Sequence, residues 1–390
     1  MASSFLPKMF TRSTGMKMFR QCRTTASSSD KVINGPRLES NISRKKHQLK
    51  ETSAKKEHEL NVTENSPSWI NQLNVHGYAV VPNVLAPPQC DHIIDKAWEW
   101  LAELGTGIQR NDSSTWTNDR WPKHFNGIIQ RYRIGHAPFV WQARTNSNVI
   151  GVFEKIWGTN ELLTSFDAMG ILRPAVMVTD LEHTSSWFHT DQSPKKEGFH
   201  CVQGVLNLEE ASIEDAGFTC YPGSHKLHTE LFQRNNDYDT TMDFNTISKE
   251  DLHWVERDKG LVPTRIPAPK GSFTIFDSRL LHCTVPAKVP RENPRWRYTL
   301  YICMTPRAWA DKNTLQARVE AFRNQRMTTH WPHHVGLFPD DLDFPMLPKF
   351  ELGDVGEKLV GLKDYSGNQL ILEEGIVSDS DFTPHERPAL

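Results

Sequence analysis

The chain has 390 residues and a formal net charge of −2. This near-neutral charge gives no global attraction to nucleic acid or to an anionic membrane, and no apolar run is long enough to span a bilayer, so we expect a soluble protein with neither as a partner. The six cysteines are scattered without a C-x-x-C pair. That argues against a zinc knuckle and favours reduced, mostly buried thiols in an intracellular protein.

Residues 1–65 differ in composition from the rest of the chain. They are rich in Ser, Thr, Lys and Arg and poor in aromatic residues, so they cannot bury enough apolar surface to fold and are predicted to be disordered. The first acidic residue is Asp30, and several basic residues alternate with apolar ones before it. This pattern is typical of an organelle transit peptide, with the mitochondrion favoured; the alternative is an untargeted tail on a cytoplasmic protein.

Ordered elements are predicted from residue 66 onward. A short helix around 69–73 precedes a strand at 77–82, and Pro87 and Pro88 can open a helix whose apolar face continues to residue 104. Residues 149–157 predict an amphipathic helix that ends at Gly158. Residues 162–172 and 175–178 predict strands interrupted at Pro174.

The pattern changes between residues 188 and 305. Short apolar runs at 202–208, 217–221, 272–276 and 298–304 are separated by Gly, Pro, Asn and Asp. A helical insertion near 247–255 interrupts them, and a further helix is predicted at 315–327. Such short strands with regular turn signals are typical of an antiparallel barrel or sandwich. The sequence therefore predicts a mainly β fold with flanking helices.

His189 and Asp191 lie two positions apart in the stretch Trp187-Phe188-His189-Thr190-Asp191-Gln192. In an extended strand, residues i and i+2 point to the same side, so the imidazole and the carboxylate can aim at one point. One His and one carboxylate are two of the three ligands of a non-haem Fe(II) facial triad. The third ligand must be a His supplied by another part of the chain.

His282 is the predicted third ligand. It follows a strand and a turn in residues 271–281, and in a closed barrel this late strand can lie beside the early one that bears His189 and Asp191. The chain has 17 histidines, so this context and not the presence of a histidine supports the choice. The alternative for His282 alone is a hydrogen-bonded core histidine.

Arg297 is the predicted anchor of a cosubstrate. Three protein ligands leave three metal positions open, which a bidentate 2-oxo acid and O2 can fill. A dicarboxylic 2-oxo acid also needs a cation for its far carboxylate, and a guanidinium matches a carboxylate bidentately. Arg297 lies further into the strand after His282 than Arg295, which is the competitor. The hydroxyl of Thr284 can assist.

These motifs resemble the phytanoyl-CoA dioxygenase family of Fe(II)/2-oxoglutarate-dependent oxygenases. The resemblance spans roughly residues 77–307 and depends on the order of His-Thr-Asp-Gln at 189–192, the runs 203–208 and 271–282, Tyr-Pro-Gly-Ser-His at 221–225, and Arg297. It implies a double-stranded β-helix, a jelly-roll or cupin-like barrel, over residues 66–310 with its N-terminal helices. Residues 311–390 then form a helical or irregular C-terminal extension.

The resemblance implies His189, Asp191 and His282 as iron ligands and Arg297 as the 2-oxoglutarate anchor. It implies a dioxygenase that hydroxylates or otherwise oxidises a small-molecule substrate with O2, releases succinate and CO2, and is supported by ascorbate. Related halogenases lack the carboxylate ligand, so Asp191 argues for oxygen insertion or desaturation over halogenation.

The resemblance also suggests that Gln203 and Asn207, on one face of a strand, line the pocket. The alternative is that both are ordinary polar residues of the sheet. The Pro-Gly-Ser-His segment is interpreted as a structural turn, so His225 is not expected to be a ligand.

Three other interpretations remain open from the sequence. The chain could be a cupin-type metalloenzyme that does not use 2-oxoglutarate, or a catalytically inactive binding module. His330, His333 and His334 could form a second metal site, although their proline-interrupted spacing favours a surface or hinge segment.

Overall fold

The computed structural model describes residues 60, 62–174, 180, 187–235, 237–290, 293–338 and 344–369. The predicted transit peptide, Cys22 and the predicted strand at 175–178 lie outside the described residues. Within the described ranges, no helix is both long and apolar enough to cross a bilayer. The cysteines in these ranges, Cys90, Cys201, Cys220, Cys283 and Cys303, are buried and free of disulfide bonds.

Proline and glycine set the helix boundaries as the sequence predicts. One helix begins at Pro87, and two others end at Gly77 and Gly158, whose φ values of 77° and 67° favour glycine. The side chain of Asn146 caps the helix before Gly158. The α-helices of the described residues are α1 (Ser68–His76), α2 (Pro87–Glu103), α3 (Pro138–Arg144), α4 (Ser147–Trp157), α5 (His228–Arg234), α6 (Lys249–Arg257), α7 (Lys312–Arg323) and α8 (Gly353–Val360).

The predicted strands are confirmed at 77–82, 202–208, 217–221, 272–276 and 298–304, and the predicted run 162–172 divides into two strands. The strands of the described residues are β1 (Tyr78–Val81), β2 (Ile128–Ile129), β3 (Leu162–Thr164), β4 (Met169–Leu172), β5 (His189–Thr190), β6 (Val202–Asn207), β7 (Gly217–Cys220), β8 (Asn245–Thr246), β9 (Thr264–Arg265), β10 (Phe273–Asp277), β11 (His282–Val285) and β12 (Arg297–Pro306).

These strands form two antiparallel sheets. The larger sheet has the order β1-β10-β6-β12-β4-β2, with β3 paired to β12, and the smaller has the order β8-β5-β11-β7-β9. Strands β4 to β7 and β10 to β12 alternate between the two sheets along the chain. This path confirms the predicted double-stranded β-helix. Among the described strands, none of one sheet pairs with an edge strand of the other, so the expectation of a closed barrel is corrected to two separate sheets.

The two sheets meet through their inner faces. Val205 and Phe276 of the larger sheet pack with Phe218 and Cys220 of the smaller one, and the rings of Phe218 and Phe276 lie 4.9 Å apart. The other face of the larger sheet is covered by α2, α3 and α4, whose apolar residues join those of β6, β10 and β12 in the main core. Apolar side chains therefore fill part of the space between the sheets.

The C-terminal region packs closely against the sheets. Arg318 of α7 is fully buried, and its guanidinium donates hydrogen bonds to the carbonyls of Thr164 in β3 (2.7 Å) and Pro332 (2.8 Å). A buried charge needs such partners to offset the loss of hydration. Arg318 thereby ties the chain beyond residue 311 to the larger sheet.

Candidate metal centre

His189, Asp191 and His282 converge in the interior between the sheets. Strands β5 and β11 pair so that His189 lies opposite His282, and the ligand atoms of all three residues lie within 4.8 Å of one another. The Nε2 atoms of His189 and His282 lie 3.8 and 3.4 Å from the Asp191 carboxylate oxygens. Metal–ligand distances of about 2.0–2.2 Å place adjacent ligand atoms roughly 3 Å apart. Small side-chain rotations would let the three groups surround one cation.

Backbone carbonyls orient both imidazoles. Nδ1 of His189 lies 3.1 Å from the Trp187 carbonyl, and Nδ1 of His282 lies 2.9 Å from the Leu280 carbonyl. A carbonyl can only accept, so each Nδ1 carries a hydrogen and each ring turns its Nε2, the other possible ligand atom, toward Asp191. This donor set therefore fits a metal ion.

Asp191 is held as an ionised carboxylate. Burial alone would raise its pKa, but the adjacent His189 and the hydrogen-bonded His282 hold that pKa well below its usual value. Gln203 of β6 donates a 2.8 Å hydrogen bond to Oδ2, while Oδ1 is buried without a hydrogen-bond partner. An orphaned buried carboxylate oxygen is costly, and a bound cation would satisfy it.

The three groups open onto a cavity lined by both aromatic and polar side chains. The Trp187 ring stacks on the His189 imidazole at 4.8 Å, and the Phe276 ring lies 4.4 Å from His282. These ring contacts pack one face of each imidazole. The aromatic residues that line the cavity are Phe125, Trp187, Phe218, Phe244, Phe276, Tyr301 and Phe338.

Arg297 lines the same cavity from β12. It is 6 % exposed, its Nε is buried without a partner, and its side chain makes no hydrogen bond or ion pair with the described residues. By contrast, the described buried arginines 133, 144, 173 and 318 all donate to carbonyl or carboxylate oxygens. Arg295, the competitor, is half-exposed and lies 3.3 Å from Glu210 at the surface. Thr284 also lines the cavity, so Arg297 and Thr284 can face a ligand there.

Asn207 does not take the predicted place. It shares a strand with Gln203, which lines the cavity, but Asn207 is not among the lining residues. Its amide donates instead to the Val205 carbonyl (3.1 Å) and to the Thr274 hydroxyl (3.1 Å). Four residues along a strand span about 13 Å, so a shared face does not bring both side chains to one site.

The remaining histidines occupy different environments. His225 is buried beside α1, with Nε2 3.3 Å from the Asn74 carbonyl, and it does not line the cavity. His330 is also buried, which corrects the expectation of a surface or hinge segment, and its Nε2 lies 3.1 Å from the backbone carbonyl of Asp191. His333 is directed to the Thr305 hydroxyl, 3.1 Å away. The described residues contain no metal-ligand cluster besides the one around Asp191.

Sequence reasoning missed several residues of the cavity. Gln130 after β2, Asp167 between β3 and β4, and His330 and Phe338 from the C-terminal region all line it. The available signal was the mixture of apolar and histidine residues at 327–338, which is unusual for a solvated tail.

Comparisons with known proteins show the family of the chain. A sequence model of the family described as phytanoyl-CoA dioxygenase matches residues 73–289. The Ava biosynthesis cluster protein O of Aspergillus versicolor is 32% identical over 272 residues, which cover 68% of this chain and 86% of that protein.

Two solved structures are similar to parts of this chain. The structure of EctD from S. alaskensis with 2-oxoglutarate and 5-hydroxyectoine is 12% identical, with a TM-score of 0.41 over 64% of this chain and 80% of that one. The carbocyclase SnoK from nogalamycin biosynthesis is 14% identical, with a TM-score of 0.42 over 64% of this chain and 88% of that one. The family match extends over more than half of the sequence, and the chain belongs to the phytanoyl-CoA dioxygenase family.

Proposed function

We propose that this protein is an Fe(II)- and 2-oxoglutarate-dependent dioxygenase that oxidises a small organic molecule. The observation that carries the proposal is the pairing of the buried His189–Asp191–His282 cluster with the unpartnered guanidinium of Arg297 on one cavity. A metal cluster alone would suit many reactions. A metal cluster with a buried cation beside it suits a metal-chelating ligand that also carries a distant carboxylate.

The donor set favours iron. Two imidazoles and one carboxylate that leave adjacent positions open form the facial triad of non-haem Fe(II) oxygenases. A catalytic zinc site can use similar ligands. Membership of the dioxygenase family and the position of Arg297 favour iron over zinc. When bound, Fe(II) with 2-oxoglutarate supplies the activation of O2 that the side chains themselves cannot perform.

The residues of the chain bind and orient the reactants. Arg297 would hold the far carboxylate of 2-oxoglutarate by charge-assisted hydrogen bonds, and the Thr284 hydroxyl could assist it. Gln203 fixes the Asp191 carboxylate. Seven aromatic side chains line the same cavity and offer apolar surface to a substrate beside the metal. In the balanced reaction, a C–H bond of the substrate, 2-oxoglutarate and O2 give an alcohol, succinate and CO2.

Two alternatives have less support. A cupin-type metalloenzyme that uses no 2-oxoglutarate would leave Arg297 buried without a function, at a cost in stability. A catalytically inactive module would not need both imidazoles to be oriented by carbonyls around an ionised carboxylate. The carboxylate ligand Asp191 also favours hydroxylation or desaturation over halogenation.

The test uses the full-length protein purified without metal. The protein is then loaded with Fe(II), and its bound iron is measured. The conversion of 2-oxoglutarate to succinate is measured with ascorbate present, first without any other substrate. We expect His189→Ala and Asp191→Ala to abolish both, whereas His225→Gln, a buried histidine away from the cavity, retains them. Undiminished iron binding and succinate formation in the Ala variants would overturn the proposal. If the proposal holds, a metabolite screen scored for products that gain one oxygen atom would identify the substrate.

A further inference from the structure

One loop of the C-terminal region reaches the backbone of the predicted metal ligand Asp191. This loop, residues 328–337, is closed by the bridge between Thr328 and Leu337 and by a 2.8 Å hydrogen bond from the Thr329 amide to the Gly336 carbonyl. The Thr328 amide donates to the Phe166 carbonyl at 3.1 Å. Together with the Arg318 guanidinium on the Pro332 carbonyl, these bonds fix the 328–337 loop against the larger sheet.

His330 is the residue of this loop that touches the site. It is 8 % exposed, it lines the cavity, and its Nε2 lies 3.1 Å from the Asp191 carbonyl oxygen. The carbonyl can only accept, so Nε2 is the donor. The next residue, Trp331, is fully buried against Cys201 and Cys303, and its ring lies 4.0 Å from the Lys196 ammonium. Lys196 follows Asp191 closely in sequence, so the loop and the metal-binding segment contact each other at two places.

The backbone at Asp191 depends on these contacts because β5 ends one residue earlier, at Thr190. The Asp191 amide donates to the Ser278 carbonyl at 2.9 Å, and the Asp191 carbonyl accepts from His330. One partner on each side of the residue restrains both of its peptide groups, and this restraint sets where the carboxylate points.

We propose that His330 is a positioning residue, supplied by the C-terminal region, that holds the Asp191 backbone so that the carboxylate meets the two imidazoles. The inference rests on the proposed function, because it assigns His330 to the metal site of that function. Groups that orient metal ligands typically contribute about 10- to 100-fold to metal affinity or activity. The competing interpretation is a core histidine that contributes packing and has no effect on the metal.

The test compares substitutions that differ in one property, with Co(II) alone as the probe. In His330→Gln the amide nitrogen reaches about as far as Nε2 of the imidazole. In His330→Asn it stops short, and in His330→Met the side chain fills space without a donor. Co(II) affinity and the visible absorption of the bound ion are measured on the full chain, with the unfolding temperature of the metal-free protein alongside.

We expect the Asn and Met variants to bind Co(II) about 10- to 100-fold more weakly, with shifted absorption bands, and the Gln variant to recover wild-type affinity within a few-fold. Wild-type affinity and spectrum in the Asn and Met variants would overturn the inference, as would equal weakening in the Gln variant. If the Met variant does not fold, the Asn variant decides. Failure of the proposed function is distinct, because the wild-type protein would then bind no Co(II) or Asp191→Ala would bind it equally well.

Discussion

Replacing Arg297 by Met tests the cosubstrate pocket most directly. We expect it to weaken 2-oxoglutarate binding without destabilising the metal-free protein. The guanidinium is 6 % exposed and makes no hydrogen bond or ion pair with the described residues. If 2-oxoglutarate is its partner, the variant loses two charge-assisted hydrogen bonds, each worth about 1.5–3 kcal/mol. A loss of at least about 3 kcal/mol corresponds to a roughly 100-fold rise in the Kd of 2-oxoglutarate.

The same substitution should not destabilise the metal-free protein. A buried charge without a partner has lost its hydration and received nothing in exchange, so an apolar side chain of similar length removes that cost. We therefore expect the unfolding temperature of metal-free Arg297→Met to equal or exceed that of the wild type. Adding Fe(II) and 2-oxoglutarate should raise the unfolding temperature of the wild type. For the variant, Fe(II) should still raise it, but 2-oxoglutarate should add little further increase.

The assay is an anaerobic titration of the Fe(II)-loaded protein with 2-oxoglutarate. Binding is monitored by the visible charge-transfer absorption of the complex. Arg295→Gln is the matched control, since Arg295 is half-exposed and a surface pair such as that with Glu210 contributes about 0–1 kcal/mol. Its Kd for 2-oxoglutarate should stay at the wild-type value. The reasoning is refuted if Arg297→Met binds 2-oxoglutarate normally, or if it lowers the unfolding temperature of the metal-free protein.

Three further predictions concern the support of the site and the fold. Gln203→Leu removes the hydrogen bond to the metal-binding carboxylate and should weaken Co(II) binding about 10-fold or more by titration; unchanged affinity would contradict this. Gly204→Ala should cost about 1–3 kcal/mol or more in chemical denaturation, because a Cβ there would overlap the Phe273 ring, whereas Gly151→Ala, in an open part of α4, should stabilise by roughly 0.5–1 kcal/mol. Burial lowers the pKa of His136 from 6.5 to about 3, so its contribution to stability is full above pH 6.5 and is lost as the pH falls toward 3, by about 1.4 kcal/mol per pH unit. His136→Gln lacks this loss, so the stability difference between wild type and variant should be smaller at about pH 5 than at pH 7; an equal difference would count against the buried neutral imidazole.

Local chemistry made much of the fold predictable from the sequence. Pro87 has no amide hydrogen to donate and opens α2, while Gly77 and Gly158 accept the left-handed conformation that ends α1 and α4. Strands such as β6 and β12 were visible because turn residues bound them on both sides. Whether two sheets close into a barrel depends on pairing between distant edges, which no local pattern records. The closed barrel was accordingly the part of the fold prediction that needed correction.

Site residues were predictable where the two-residue period of a strand places them. They were not predictable where packing between distant parts of the chain determines their position. The spacing of His189 and Asp191 follows from the two-residue period of a strand. The pairing of His189 with His282 is long-range, and only the order of motifs pointed to it. The same parity argument failed for Asn207 because it fixes a face and not a position along the strand. His330 was considered only for a second metal site, because the composition of its loop does not show what the loop will pack against.

Arg297 and Arg318 show why a buried group's partners reveal more than its burial. Arg318 donates to the carbonyls of Thr164, Pro332 and Val360, so its buried charge serves the packing of the C-terminal region. Arg297 is almost as deeply buried but has no partner within the described residues, and it faces the cavity that contains the ionised Asp191. The other buried arginines of the described residues each donate hydrogen bonds to carbonyl or carboxylate oxygens, whereas the Arg297 side chain donates none, which is what the proposed role of a ligand anchor requires. Under the proposed function, an anionic group of the ligand would meet Arg297 while another part of the ligand reaches the metal, as a 2-oxo dicarboxylate can do.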